Sequence, residues 1–176
     1  MEEETNKRLG ELIKVLSEGN VDALREIALI MERILYAIGF TYFYNKADVE
    51  DAIQNLYVTL YYKAKWYKRN KNACAWIIKI YENSIKNSLN RKKTEMRYVT
   101  DLEEVAATAV YDDNHDQIFV KELFATLNTE ERKLLQYRYW CSMTVRDIAN
   151  ELHKPSSTIM YKLKCLEDKI KKFSKS

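Results

Sequence analysis

Leu9, Leu12, Ile13 and Leu16 recur at helical spacing, and Gly19 with Asn20 ends the run. A second helix is predicted over about 21–38, where Leu24, Ile27, Ile30, Met31, Ile34 and Leu35 form a wide apolar stripe and Gly39 supplies the C-cap. The third is predicted to start at Asp48, with Asp48 and Asp51 as the two acids of a capping box. Val49, Ile53, Leu56 and Leu60 then trace one inward face, which leaves Glu50, Asp51, Gln54 and Asn55 off the stripe. A loop at 65–72 leads into a fourth helix over about 73–92, whose Ile77, Ile80, Ile85 and Leu89 face the core. Lys79, Asn83, Lys86 and Asn87 share another of its faces, with Trp76 and Glu82 toward the edges.

Periodicity weakens over 94–116, which reads as a linker with a short helical piece near 103–110. Phe119, Leu123 and Leu127 then mark a short helix. Asn128 with Glu131 caps the next, whose Leu134, Leu135 and Tyr139 turn inward. Thr144 with Asp147 opens another, carrying Ile148, Ala149 and Leu152. His153, Lys154 and Pro155 make a tight connection to a final helix striped by Ile159, Leu163, Leu166 and Ile170. Two helices joined by so short a turn, the second opening on Ser156, Ser157 and Thr158, form a helix-turn-helix pattern. Small Ala149 lets them cross closely, and Ser157, Thr158, Tyr161, Lys162 and Lys164 would face outward.

With only 3 Gly and 1 Pro in 176 residues, 47% hydrophobic content and no alternating β-branched runs, the fold expected is all-α. It divides into two small helical domains joined by an acidic linker. The charge distribution changes this picture more than the net +3 does. Residues 63–93 hold ten Lys or Arg against one acid, Glu82, while 94–116 hold one against seven. Trp66, Tyr67, Trp76, Tyr81, Asn83 and Asn87 are interleaved with those cations. Cations screen phosphates, aromatic faces stack on unpaired bases and amides read base edges, so the mixture suits opened nucleic acid. A solvated basic helix beside a core Trp has the same composition. The acids at the start of the third helix likewise suit the positive end of a helix dipole without any partner.

Cys74, Cys141 and Cys165 are an odd set without CxxC spacing, so neither a disulfide framework nor a zinc site is expected. His115 and His153 lack ligand-spaced partners, and no metal or cofactor is predicted. There is no HExxH, no P-loop and no nucleophile–base pair, which argues against an enzyme. An acidic, polar start argues against a signal peptide, and no apolar run nears the roughly 18 residues that cross a membrane. A cytoplasmic protein without membrane contact is expected.

Four stretches, in order, resemble the bacterial RNA polymerase sigma factors of the extracytoplasmic-function (ECF) type. They are SEGNVDALREI, DVEDAIQNLYVTLY, AWIIKIYENSIKNSLNRKK, and LNTEERKLLQYRYWCSMTVRDIANEL followed by STIMYKLKCLEDKI. Matches to the family's patterns fall at Asp48, Glu50, Asp51, Gln54, Leu60, Trp76, Ile80, Asn83, Leu89 and Arg91. The resemblance implies a region 2-like domain at 1–93, an acidic connector at 94–115 and a region 4-like domain at 116–176. It implies that Asp48, Glu50, Asp51, Gln54 and Asn55 dock on the clamp coiled coil of core polymerase, with the flap as a second contact. Lys68, Arg69, Trp76, Lys79, Asn83, Asn87 and Arg91 would hold the melted minus-ten strand of promoter DNA. Ser157, Thr158, Met160, Tyr161, Lys162 and Lys164 would meet the minus-thirty-five element. An anti-sigma factor is common in the family and is a further implied partner. The other reading is a sigma-like helix-turn-helix regulator, whether chromosomal or from a mobile element, that does not bind core polymerase. The chain departs from the family's pattern at Glu82, at Ala73, Cys74 and Ala75, at His153 and Lys154, and at Met160, Tyr161, Cys165 and Leu166.

Overall fold

A computed structural model describes residues 3–43, 45–68, 71–98 and 122–174, apart from the side chains of 3 and 92–98. The predicted linker beyond 98, Phe119 and Arg69 lie outside the described residues. Every regular element among the described residues is helical. Four helices, α1 (Glu3–Ser17), α2 (Ala23–Gly39), α3 (Lys46–Lys63) and α4 (Ala73–Tyr98), make the first domain, with a 3-10 turn at Ala64–Trp66. The second holds a helical turn at 122–126, α5 (Thr129–Leu135), a turn of π-helix at Gln136–Trp140, α6 (Val145–Leu152) and α7 (Ser156–Phe173).

The apolar stripes close the first domain as their spacing dictates. Leu9, Ile13, Ile27, Met31, Leu35, Val49, Leu56, Leu60, Ile77 and Ile85 are all buried. Each such aliphatic side chain contributes about 1.5–3 kcal/mol by leaving water. Gly19 ends α1 at φ 98°, as expected of a residue without Cβ.

Gly39 differs from expectation. The helix ends on Phe40 in right-handed geometry, so Gly39 is not a left-handed cap. Its absent side chain makes room instead: a Cβ there would meet Val49 Cγ1 at 2.5 Å and Tyr81 Oη at 2.6 Å. The close approach lets α2 lie against α3 and α4. The start of α3 also moves. Its N-cap is Asn45, which accepts from the Asp48 amide at 2.8 Å, so Asp48 occupies the third helical position. Asn45 and Asp48 can both cap, and the chain uses the earlier one.

In the second domain both predicted capping boxes form, Asn128 with Glu131 and Thr144 with Asp147. Leu134 and Leu135 are buried, but Tyr139 is 45% exposed and donates to Glu167 at 3.0 Å. The cause is the π-turn, in which the Cys141 amide reaches the Gln136 carbonyl five residues back, at 3.0 Å. The wider turn advances the register, so Gln136 and Tyr137 take the buried positions. Trp140 stacks on Phe124 with ring centroids 5.5 Å apart and planes at 7°.

The helix-turn-helix forms through His153 in left-handed geometry (φ 52°) and Pro155. Glu130 of α5 braces it by accepting from both Lys154 and Lys162. Those bonds hold its carboxyl below the ordinary value of 4.5, the Lys154 bond acting most strongly. A depressed native value makes this contribution present above the unfolded pKa and lost as pH falls through the native one. The melting temperature of this domain should therefore fall below about pH 4.5 in the wild type and respond less in Glu130→Gln. The partly exposed cluster is worth at most about 1 kcal/mol; parallel pH profiles for the two proteins would refute the brace.

Candidate nucleic-acid interface

The start of α4 is fixed from two directions. Asn72 Oδ1 accepts from the Ala75 amide at 2.9 Å, and Asn6 Oδ1, from α1, accepts from the Cys74 amide at 3.1 Å. Ala73, Cys74, Ile77, Ile78, Tyr81 and Ile85 then face the core. The opposite face presents Lys79, Asn83, Lys86, Asn87 and Arg91 to solvent. At 1.5 Å per residue this row of cations and amides is about 18 Å long. Such a row can track a phosphate backbone and offer paired donors and acceptors to splayed bases.

The aromatic rings divide differently from the sequence reading. Trp76 is half-buried, packed on Tyr67 with centroids 5.1 Å apart. Tyr67 in turn donates to the Lys71 carbonyl at 2.7 Å, bracing the loop on which Lys68 stands exposed. Trp66 is 63% exposed, with Lys65 Nζ 5.0 Å from its ring centre. It is the more accessible stacking surface.

On α3, Asp51, Gln54 and Asn55 are exposed, whereas Asp48 is committed to its cap. Glu50 accepts from the Tyr36 hydroxyl at 3.0 Å and pairs with Lys46 at 3.7 Å. The exposed row continues through Val58, Tyr61 and Tyr62, at helical spacings from Asp51. The sequence reading missed these three, although an apolar Val opposite the inward stripe was the available signal. On α7, Ser157, Met160, Tyr161 and Lys164 are exposed and Thr158 is half-buried. Lys162 is half-buried and turned to Glu130, so it does not face outward as predicted.

Glu82 looks misplaced in a basic face, but it points elsewhere. It is half-buried; burial and then the Glu82 charge push up the Tyr42 phenol, while burial, Glu151 and, after them, Glu82 push the Tyr137 phenol of the second domain up to about 12. The nearby Arg132 cation acts on Tyr42 in the opposite direction. Nearby, Asn72 Nδ2 donates to the Cys141 carbonyl at 3.1 Å, and Lys71 pairs with Glu151 at 3.2 Å. The second domain thus rests on the loop and first turns of α4, and the Glu82 charge is felt by Tyr137 across that contact. No group of three or more His, Cys, Asp or Glu among the described residues could hold a metal.

Two family models match the chain, Sigma-70 region 2 over residues 30–95 and Sigma-70 region 4 over 123–164. They cover the stretch from the middle of α2 to near the end of α4 and the segment from 123 into α7. Among solved structures, the chain is similar to CnrH, determined in complex with the cytosolic domain of CnrY, at TM-score 0.63 and 13% identity. That match covers 97% of each chain. It is also similar to the sigma factor RpoE of Bartonella quintana, determined with the anti-sigma factor NepR, at TM-score 0.59 and 20% identity. Here 88% of this chain and 97% of that one are covered. No curated protein sequence matches closely enough to count as a relative.

Proposed function

The chain belongs to the sigma-70 family of RNA polymerase sigma factors, with regions 2 and 4 on one polypeptide, and we propose that it docks on core polymerase through α3 and holds opened promoter DNA against α4. It directs promoter recognition and transcription initiation. The observation that carries the residue-level reading is the solvent-facing row Lys79, Asn83, Lys86, Asn87 and Arg91 on a helix fixed at its start by Asn6 and Asn72.

Opening a duplex costs about 1.4 kcal/mol per base-pair step. Stacking on an exposed ring returns about 1–3 kcal/mol per base, and Trp66 supplies such a ring. Lys68 and Lys79 meet phosphates. Ser157, Met160, Tyr161 and Lys164 meet the minus-thirty-five duplex, Met160 and Tyr161 by apolar contact. The connector between the two domains starts after Tyr98, where α4 ends, rather than at residue 94. The protein acts in the cytoplasm, without chemistry of its own, since the polymerase active site makes the bonds. That CnrH was determined with the cytosolic domain of CnrY, and RpoE with the anti-sigma factor NepR, supports an anti-sigma partner.

Core association tests the reading. Asp51→Lys combined with Gln54→Ala should weaken capture by purified core polymerase by at least about tenfold, while helix content stays unchanged. Undiminished capture would instead support a regulator that works without core. Run-off transcription from a genomic library, with start sites sequenced, then identifies the promoter.

A further inference from the structure

Cys74 and Cys141 stand 67 residues apart in sequence, one in the first turn of α4 and the other just after the π-turn of the second domain. Both side chains are buried, and the Cys141 thiol donates to Cys74 Sγ at 3.0 Å. The Cys74 thiol also points at the Trp140 carbonyl, 3.8 Å away. The contact lies where region 4 covers Lys71 and Asn72. A cleft of about 440 Å³ lined by Asn6, Lys71, Asn72, Cys141, Thr144 and Glu151 reaches the same place from solvent.

We infer that Cys74 and Cys141 are a redox pair whose disulfide locks region 4 onto the start of the promoter-opening helix. The sulfurs need to approach only from 3.0 Å to the about 2.05 Å of a covalent bond. While the contact is closed the pair is protected. The hydrogen bond to Cys74, and then burial, push the Cys141 thiol well above its ordinary range. Reaction therefore follows opening of the domain contact, which admits water and a small oxidant, and reclosure brings the sulfurs together.

With a peroxide as oxidant the step balances. One thiolate attacks a peroxide oxygen, the O–O bond breaks, and a sulfenic acid and hydroxide result. The second thiol attacks the sulfenic sulfur and the S–S bond forms as the S–O bond breaks. The departing hydroxide and the earlier one take up the two thiol protons as water. Two thiols lose two electrons, and one peroxide becomes two waters. Exposed Cys165 has no comparable sulfur neighbour among the described residues and serves as the internal control.

The inference rests on the sigma reading for its consequence but not for its chemistry, so two measurements separate them. The full chain is treated with hydrogen peroxide, its remaining thiols are blocked, and the linked peptides are mapped by mass spectrometry. Peptides joining Cys74 to Cys141 are expected in the wild type and in Cys165→Ser, and dithiothreitol should separate them. In run-off transcription with core polymerase the oxidised wild type should lose at least about tenfold activity and regain it on reduction. Cys74→Ser and Cys141→Ala should change by less than about twofold under the same peroxide. Oxidation confined to Cys165 overturns the pair, and a linked protein that transcribes undiminished overturns the lock. A reduced protein that never initiates transcription would instead refute the sigma reading, with the peptide map still reporting on the pair.

Discussion

Gly39→Ala is expected to destabilise the region 2 domain by about 1–3 kcal/mol, despite replacing a helical glycine with the best helix former. Alanine would gain about 1 kcal/mol on an exposed helix. Here its methyl would sit 2.5 Å from Val49 Cγ1 and 2.6 Å from the Tyr81 hydroxyl. Neither neighbour gives way easily. Val49 is fully buried and β-branched, and Tyr81 is the largest fully buried side chain. The Tyr81 hydroxyl has no hydrogen-bond partner among the described residues, and burial drives its pKa upward. The measurement is the urea midpoint of the full chain with its slope. An unchanged or raised midpoint would show that α2 can slide to admit the methyl. In a Val49→Ala background, which lacks the atom in closest contact, Gly39→Ala should cost less than it does in the wild type.

The second large effect is expected at the amide row. Replacing both Asn83 and Asn87 by Ala should leave the unfolding midpoint close to wild type, because both side chains are exposed. Each amide that reads a base is worth about 1–3 kcal/mol, so open-complex formation should drop by at least about thirtyfold for the pair. Permanganate reactivity of unpaired thymines reads opening, and a gel shift on duplex DNA reads closed binding. Equal loss in both assays would reassign these residues to duplex binding. Trp76→Ala is a weaker probe of opening than Trp66→Ala, because the Trp76 ring also packs on Tyr67 and its loss disturbs the loop.

Much of this architecture is written locally. The stripes of α1 to α4 depend on spacings of three and four, and the boxes at Asn128 and Thr144 on residues three apart. Such features carry their own physics and were legible. The misreadings needed information from elsewhere in the chain. Regular helical periodicity puts Tyr139 inside, and nothing in its own turn announces the π-turn that rotates it outward. Helical phase alone puts Lys162 outward, but Glu130, 32 residues earlier, turns it aside. Glu82 had no explanation on its own helix because its neighbours, Tyr42 and Tyr137, come from another segment and another domain. The Cys74 and Cys141 contact is the extreme case, since their sequence spacing matches no motif.

Asn72 is a single side chain whose two ends serve different domains. Its carbonyl oxygen caps α4 and its amide nitrogen holds the Cys141 carbonyl. When region 4 swings away, the nitrogen loses its partner but the oxygen keeps its own. The first turn of α4 is therefore capped with or without that contact, and separating the two domains need not unfold it. Aspartate at this position would keep the cap and lose the tether, leaving a protein with the same helix and a looser lid.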